Sequence, residues 1–390
     1  MEERKSMSRV FVICSAAIFA ATALFSQNIA KREKDPSCFE KPKEAPCRTE
    51  KPKPCCDEKK NPCCNVGQGA PLPTDKRCFC AAYNAPAGIN VGCGWDLDVF
   101  GSFLYWHVSQ DSMDIAHVLP LSATLPVTPG AIAFQNFEYK PGFKAGIGFN
   151  TNYDGWVGWA EYTWLHQKTS TTQTAPALPS GAPGAWTGQD WFTTTPLTAP
   201  SVSSKWRMNL DILDLMVSRP FYQGTKLTID PFAGLRGMLL RQNLNINLGV
   251  PFVHVQSKSW AVGPDMGVAG HWMVGTSGFR FEGKAAGSLL YTRFHKLSQK
   301  EQVTAAGATV TTKVKSIGAV RPIAELGAGL GWGQYLSCNN YYIDFSVRYD
   351  FMLLWEQNVM RLFTTYLQGF VDYPGDLHLH GLTASARFDF

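Results

Sequence analysis

The chain has 390 residues, and its 36 Lys and Arg against 31 Asp and Glu leave a net charge of only +5, with no basic stripe, which excludes a nucleic-acid partner. Charged residues are 17% of the chain, below the ~25% of ordinary soluble domains, and aromatics reach 13%. Mean hydropathy is −0.12, and no apolar run beyond residue 26 approaches the ~18 residues of a spanning helix, which leaves a large soluble β protein or a transmembrane β-barrel.

The N-terminus reads as a secretory signal peptide over residues 1–23. Arg4, Lys5 and Arg9 give a positive start, Val10 to Ala20 an apolar stretch, and Ala21-Thr22-Ala23 a small-x-small cleavage pattern. The alternative is an uncleaved anchor, but the apolar stretch is short for one.

Residues 31–93 form a Cys-, Pro- and Lys-rich arm carrying Cys38, Cys47, Cys55, Cys56, Cys63, Cys64, Cys78, Cys80 and Cys93. So polar a segment buries too little apolar surface to offset its chain entropy, and a disordered arm is expected. In an oxidising compartment these thiols, with Cys338 far downstream, are disulfide candidates. Metal binding is the other reading, but Cys55-Cys56 and Cys63-Cys64 lack the C-x2-C spacing of zinc sites and no His lies near. No metal and no cofactor is assigned.

From about residue 94 a two-residue period recurs to the C-terminus. Ten segments carry it: approximately 95–107, 137–150, 154–167, 204–219, 226–247, 256–274, 278–294, 312–332, 340–356 and 377–390. Most exceed the ~9–11 residues a tilted strand needs to cross a bilayer, and short connections alternate with longer ones. Tryptophans gather near strand ends, as in an aromatic girdle. The spacing predicts an all-β chain, a closed antiparallel transmembrane β-barrel over 94–390, with ten strands and twelve as the runner-up. An even count puts both termini, and the cysteine arm, in the periplasm.

The polar face of these strands repeatedly carries charge, which a wet or salt-bridged lumen explains better than a packed sandwich. The pore-lining candidates are Glu138, Lys140, Lys144, Lys205, Arg207, Asp211, Arg236, Arg280, Glu282, Lys284, Arg321, Glu325, Asp344, Arg348 and Arg387. Acids and bases nearly balance, so no ion selectivity follows. Two pairs invite a catalytic reading, Asp96-x-Asp98 and His378-x-His380. Neither forms a nucleophile–base arrangement, and the common hydrolase, metalloprotease and phosphate-binding motifs are absent from the sequence, so no enzyme is expected.

Four features together resemble the pore-forming, major-outer-membrane-protein-like family of chlamydia-related and Legionella-type bacteria. They are the exported Cys-rich start; Gly94–Val99 followed by Phe103-Leu104-Tyr105-Trp106; Pro231–Gly237 with Asn243-x-Asn245; and the terminal Arg387-Phe388-Asp389-Phe390. The resemblance spans roughly 90–390. It implies a porin-like protein of the outer membrane of a Gram-negative-type bacterium, with Phe390 as the signal read by the barrel-assembly machinery. It also implies cysteine cross-links to other envelope proteins or between copies. The expected role is passive diffusion of ions and small polar solutes, with cross-linking adding envelope rigidity. The alternative is a structural or adhesive surface barrel with a plugged lumen. A ten-stranded lumen would be narrower than that of the 16–18-stranded porins.

Overall fold

Aromatic and branched side chains at every second position favour extended backbone, because they pack well on a pleated surface. The computed structural model describes residues 97–118, 131–150, 156–177, 184–193, 198–224, 226–275, 278–304, 307–336, 341–364 and 374–390. The signal peptide, the arm and every disulfide candidate from Cys38 to Cys338 lie outside the described residues.

Fifteen strands follow in chain order: β1 (Leu97–Gln110), β2 (Asp114–Val118), β3 (Ile132–Phe134), β4 (Tyr139–Asn150), β5 (Val157–Thr174), β6 (Trp186–Thr187), β7 (Ser201–Ser218), β8 (Tyr222–Gln223), β9 (Leu227–Asn247), β10 (Phe252–Met273), β11 (Phe279–Gln302), β12 (Val310–Val314), β13 (Ile317–Leu336), β14 (Tyr341–Asn358) and β15 (Gly375–Asp389). Ten close an antiparallel barrel in the order β1-β4-β5-β7-β9-β10-β11-β13-β14-β15. Closure is made by β15 on β1, where Asp389 faces Asp98 and His378 faces Ser109. The short β8 and β12 pair onto β9 and β11, and β2, β3 and β6 make a separate small sheet. The ten expected strands are thus the barrel strands, several longer than expected: β5 runs on to Thr174 and β11 to Gln302. The segments that could have held two more barrel strands, 108–136 and 168–203, supply β2, β3 and β6 instead.

Connections at the β1-start and β15-end side are short, and those at the other side are mostly long. In outer-membrane barrels the short side is periplasmic and the long side external.

The barrel has two halves with opposite solvents. On the periplasmic side β7 turns Leu213, Leu215 and Val217 outward, each about half exposed, and Asp214 and Ser218 inward. Toward the external end the faces exchange character without exchanging phase. Trp206, Met208, Leu210 and Ile212 point inward and are buried, while Lys205, Arg207, Asn209 and Asp211 point outward. In β9, Leu235 and Leu239 face outward below, and Leu240, Leu244 and Ile246 face inward above. An outward apolar band that no water-soluble protein would expose fits lipid. The strands then continue past the band, with water outside and a hydrophobic core inside.

That core lies in the external half. Leu104, Trp106 and Val108 of β1, Leu165 of β5, and Leu377 and Leu379 of β15 meet side chains of the inserted segments: Met113, Ile115, Trp186, Trp191 and Phe192.

Candidate functional site

The barrel interior is the place where a pore or an active site would have to lie. Its periplasmic half is a network of paired charges to which nearly every strand contributes. At its centre Arg236 of β9 is 1% exposed. Its guanidinium donates from Nε to Asp214 at 2.6 Å and from Nη2 to Asp214 at 3.0 Å, the bidentate geometry that guanidinium and carboxylate favour. It also pairs with Asp265 at 3.3 Å and with Glu325, and it donates from Nη1 to Ser288 at 3.2 Å. Lys284 reaches the other oxygen of Glu325 at 3.2 Å. Lys144 of β4 pairs with Glu161 of β5 at 3.1 Å.

A second cluster lies nearer the periplasmic rim. Arg280 pairs with Glu282 at 2.5 Å and with Asp344, and it donates to the Tyr342 hydroxyl at 3.3 Å. Arg387 pairs with Asp389 at 2.5 Å and with Asp98 at 3.5 Å. Arg348 and Asp350 lie 3.5 Å apart. Desolvating so many ions is tolerable only because each faces an opposite charge.

Glycine makes the room. On β13 the inward positions include Gly327, Gly329, Gly331 and Gly333. A Cβ at Gly331 would come within 3 Å of Glu282 and Arg280, and one at Gly333 would meet Tyr342 and Asp344 at less than 3 Å. Gly148 does the same for Asp98. These positions are small because charged side chains from neighbouring strands lie over them.

Of the pore-lining candidates, Lys144, Arg236, Arg280, Glu282, Lys284, Arg321, Glu325, Asp344, Arg348 and Arg387 face inward. Lys140 faces Trp106 across the ladder and pairs at 2.6 Å with the exposed Glu138 at the external start of β4. Lys205, Arg207 and Asp211 do not line the interior: they lie on the outer face of β7. Equating the apolar face of β7 with lipid puts them inside, whereas that face is the core above the membrane. Asp214, Asp265 and Tyr342 belong to the network without standing among the candidates. Asp214 was legible as the one polar residue between Leu213 and Leu215.

Described side chains of the inserted segments pack inside the external half. The Trp191 indole donates to the carbonyl of Asp114 at 2.6 Å. Gln299 of β11 donates to the Trp191 carbonyl at 2.9 Å, and the Thr193 amide donates to Glu301 at 2.9 Å. Arg361 stacks over Trp191 at 4.7 Å and pairs with Asp114 at 2.5 Å. His117 of β2 meets Asp190 at 3.5 Å. This contact raises the imidazole pKa above its ordinary value and holds the carboxyl below its own.

The two pairs weighed for catalysis are far apart in role and place. Asp98 is bound to Arg387 at the periplasmic end, Asp96 lies outside the described residues, and His378 and His380 face outward near the external end. Among the described residues no group of three His, Cys, Asp or Glu is placed to hold a metal.

The family model described as Legionella pneumophila major outer membrane protein precursor matches residues 92–390. No curated protein matches. Among solved structures, the outer membrane protease OmpT from Escherichia coli is 10% identical, with a TM-score of 0.36, covering 75% of this chain and 96% of its own. A major outer membrane protein from Thermus thermophilus is 10% identical, with a TM-score of 0.31 and coverages of 74% and 99%. The TodX deltaS2S3 mutant monoaromatic hydrocarbon channel is 9% identical, with a TM-score of 0.31 and coverages of 75% and 90%.

Proposed function

The chain belongs to the family described as Legionella pneumophila major outer membrane protein precursor, and we propose that it serves in the outer membrane as a closed barrel: a rigid surface protein, not an open diffusion pore. The observation that supports this reading is the packing of side chains inside the barrel at both levels. Paired charges occupy the membrane half, and the apolar cluster that includes Trp106, Trp191 and Trp206 occupies the external half. A ten-stranded barrel has little interior left once its side chains are in place. The exported cysteines give such a barrel a means of attachment to neighbours in the envelope, and external segments anchored on its core would be presented at the surface.

A second reading is passive diffusion of ions and small polar solutes. The inward charges of the membrane half favour it, since a polar lumen wets more readily than an apolar one. Ion efflux from liposomes carrying the folded protein separates the two. A closed barrel leaves efflux at the level of protein-free liposomes, and efflux rising in proportion to protein supports diffusion.

A further inference from the structure

The outer face just above the apolar band is unevenly charged. On β5, β7, β9, β10 and β11 it carries Lys168, Arg207, Arg241, Lys258, Arg293 and Lys296. Several stand directly opposite one another across the ladder: Lys168 faces Arg207, Arg241 faces Lys258, and Lys258 faces Lys296. Like charges placed directly across a ladder are destabilising. None of the six has a carboxylate within 4 Å among the described residues. The one acid in the patch, Asp211, is already engaged, accepting from the Tyr162 hydroxyl at 2.8 Å and meeting His166 at 3.1 Å.

The position is as informative as the charge. Arg241 is the next outward residue beyond Leu239, and Lys258 the next beyond Trp260. Arg293 lies opposite Trp260 itself. The cations therefore begin where the apolar and aromatic band ends, at the depth of lipid headgroups. Among the described residues, the outer faces of β14, β15, β1 and β4 on the opposite side lack them at this level. There the outer face near the external end carries His107, Tyr139, Tyr349 and His380, which contact one another.

We propose that this face of the external rim binds the phosphate groups of an anionic glycolipid of the outer leaflet, its acyl chains lying on the apolar band beneath. Phosphate oxygens between Arg241, Lys258 and Lys296 relieve the repulsion that the protein leaves uncompensated. Guanidinium groups suit phosphate bidentately, and ammonium groups add point charge. The fit is to a headgroup with apolar chains attached, since the same residues are flanked by Trp164, Leu239 and Trp260.

The test uses the full chain, folded in a neutral detergent, with native mass spectrometry and fluorescence titration as readouts. The probes are a bisphosphorylated lipid A, the same lipid after phosphatase treatment, and inorganic phosphate. Binding of the phosphorylated lipid, weaker binding of the dephosphorylated one, and no competition by inorganic phosphate at equal concentration are expected. The triple variant R241Q/K258Q/K296Q should weaken binding on the order of a hundredfold, at about fivefold per cation. It should keep the heat-modifiable gel mobility of a folded barrel. H378Q/H380Q, on the other side, should bind like the unmodified protein. Equal binding of both lipids, equal competition by inorganic phosphate, or unchanged binding by the folded triple variant would each overturn the proposal. If the triple variant does not fold, the single variant K258Q takes its place: a loss of about fivefold supports the proposal, and unchanged binding overturns it.

Discussion

Arg236 of β9 and Asp214 of β7 are joined by two hydrogen bonds, of 2.6 and 3.0 Å, in the middle of a bilayer-spanning barrel. The pair holds adjacent strands side by side and leaves Nη1 of the same guanidinium free to meet Glu325 on β13, three strands away. One side chain thus ties a wall of the barrel to its interior.

Removing Arg236 should therefore be costly. Arg236→Ala leaves Asp214 and Asp265 buried with no cation in contact, a loss of about 3–5 kcal/mol. Arg321 gives the contrast. It is 4% exposed, its Nε and Nη1 have no hydrogen-bond partner, and it stacks on Phe294 at 4.7 Å. Arg321→Leu removes a buried guanidinium that has no carboxylate within 4 Å among the described residues, only the more distant Glu356 and Asp376, and should cost far less than Arg236→Ala. Urea unfolding of both variants in detergent, followed by tryptophan fluorescence, measures the difference. Equal destabilisation by the two would contradict the pairing described.

The inward glycines make a separate prediction. Gly331→Ala puts a methyl into the Arg280–Glu282 pair and should cost about 1–3 kcal/mol. Gly283, on the outer face of β11, has nothing within 4 Å of an added Cβ, so Gly283→Ala should be tolerated. Thermal unfolding by circular dichroism compares them. A tolerated Gly331→Ala would mean that the interior is looser than described.

The inserted segments should respond to pH through His117 and Asp190. The imidazole has a raised pKa, so its contribution is fully present below its unfolded value and is lost as pH rises through the raised one. The carboxyl has a lowered pKa, so its contribution is present above its unfolded value and is lost as pH falls through the lowered one. The contact is therefore strongest in mildly acidic solution and weakens on both sides. Protection of the β2 and β6 amides from hydrogen exchange, taken relative to the intrinsic rate at each pH, should be greatest there, and His117→Gln should flatten the protection profile. A flat protection profile in the unmodified protein would contradict a stabilising His117–Asp190 contact.

Disulfide formation is expected among Cys38, Cys47, Cys55, Cys56, Cys63, Cys64, Cys78, Cys80, Cys93 and Cys338, some of it between molecules. Envelopes prepared with thiols blocked at lysis should show this protein as reducible oligomers on a non-reducing gel. A monomer with free thiols by mass spectrometry would shift attention to metal binding by Cys55, Cys56, Cys63 and Cys64.

Strand positions were legible because the period of two survives whatever lies on either side of the sheet. Tyr341, Phe345 and Val347 against Tyr342, Asp344 and Ser346 give both the strand and its lipid face. Which solvent a face meets was less legible. Trp206, Met208, Leu210 and Ile212 look like a lipid face, yet they are core, because β7 rises above the membrane and its surroundings invert. The trace of that inversion is an apolar doublet where the two apolar faces hand over: Ile212-Leu213 in β7, Leu239-Leu240 in β9 and Leu289-Leu290 in β11. The core contributions of Ile115, Trp186 and Phe192 had no such signal, since segments folded back into a barrel mouth carry no strand period of their own.

Single-molecule recording in planar lipid bilayers tests the closed interior most directly. Folded protein, its insertion verified by heat-modifiable mobility after recovery from the membrane, should give no stepwise conductance in neutral salt at moderate voltage. Reproducible, protein-dependent conductance steps from the unmodified chain would contradict a closed barrel and establish the diffusion pathway in its place.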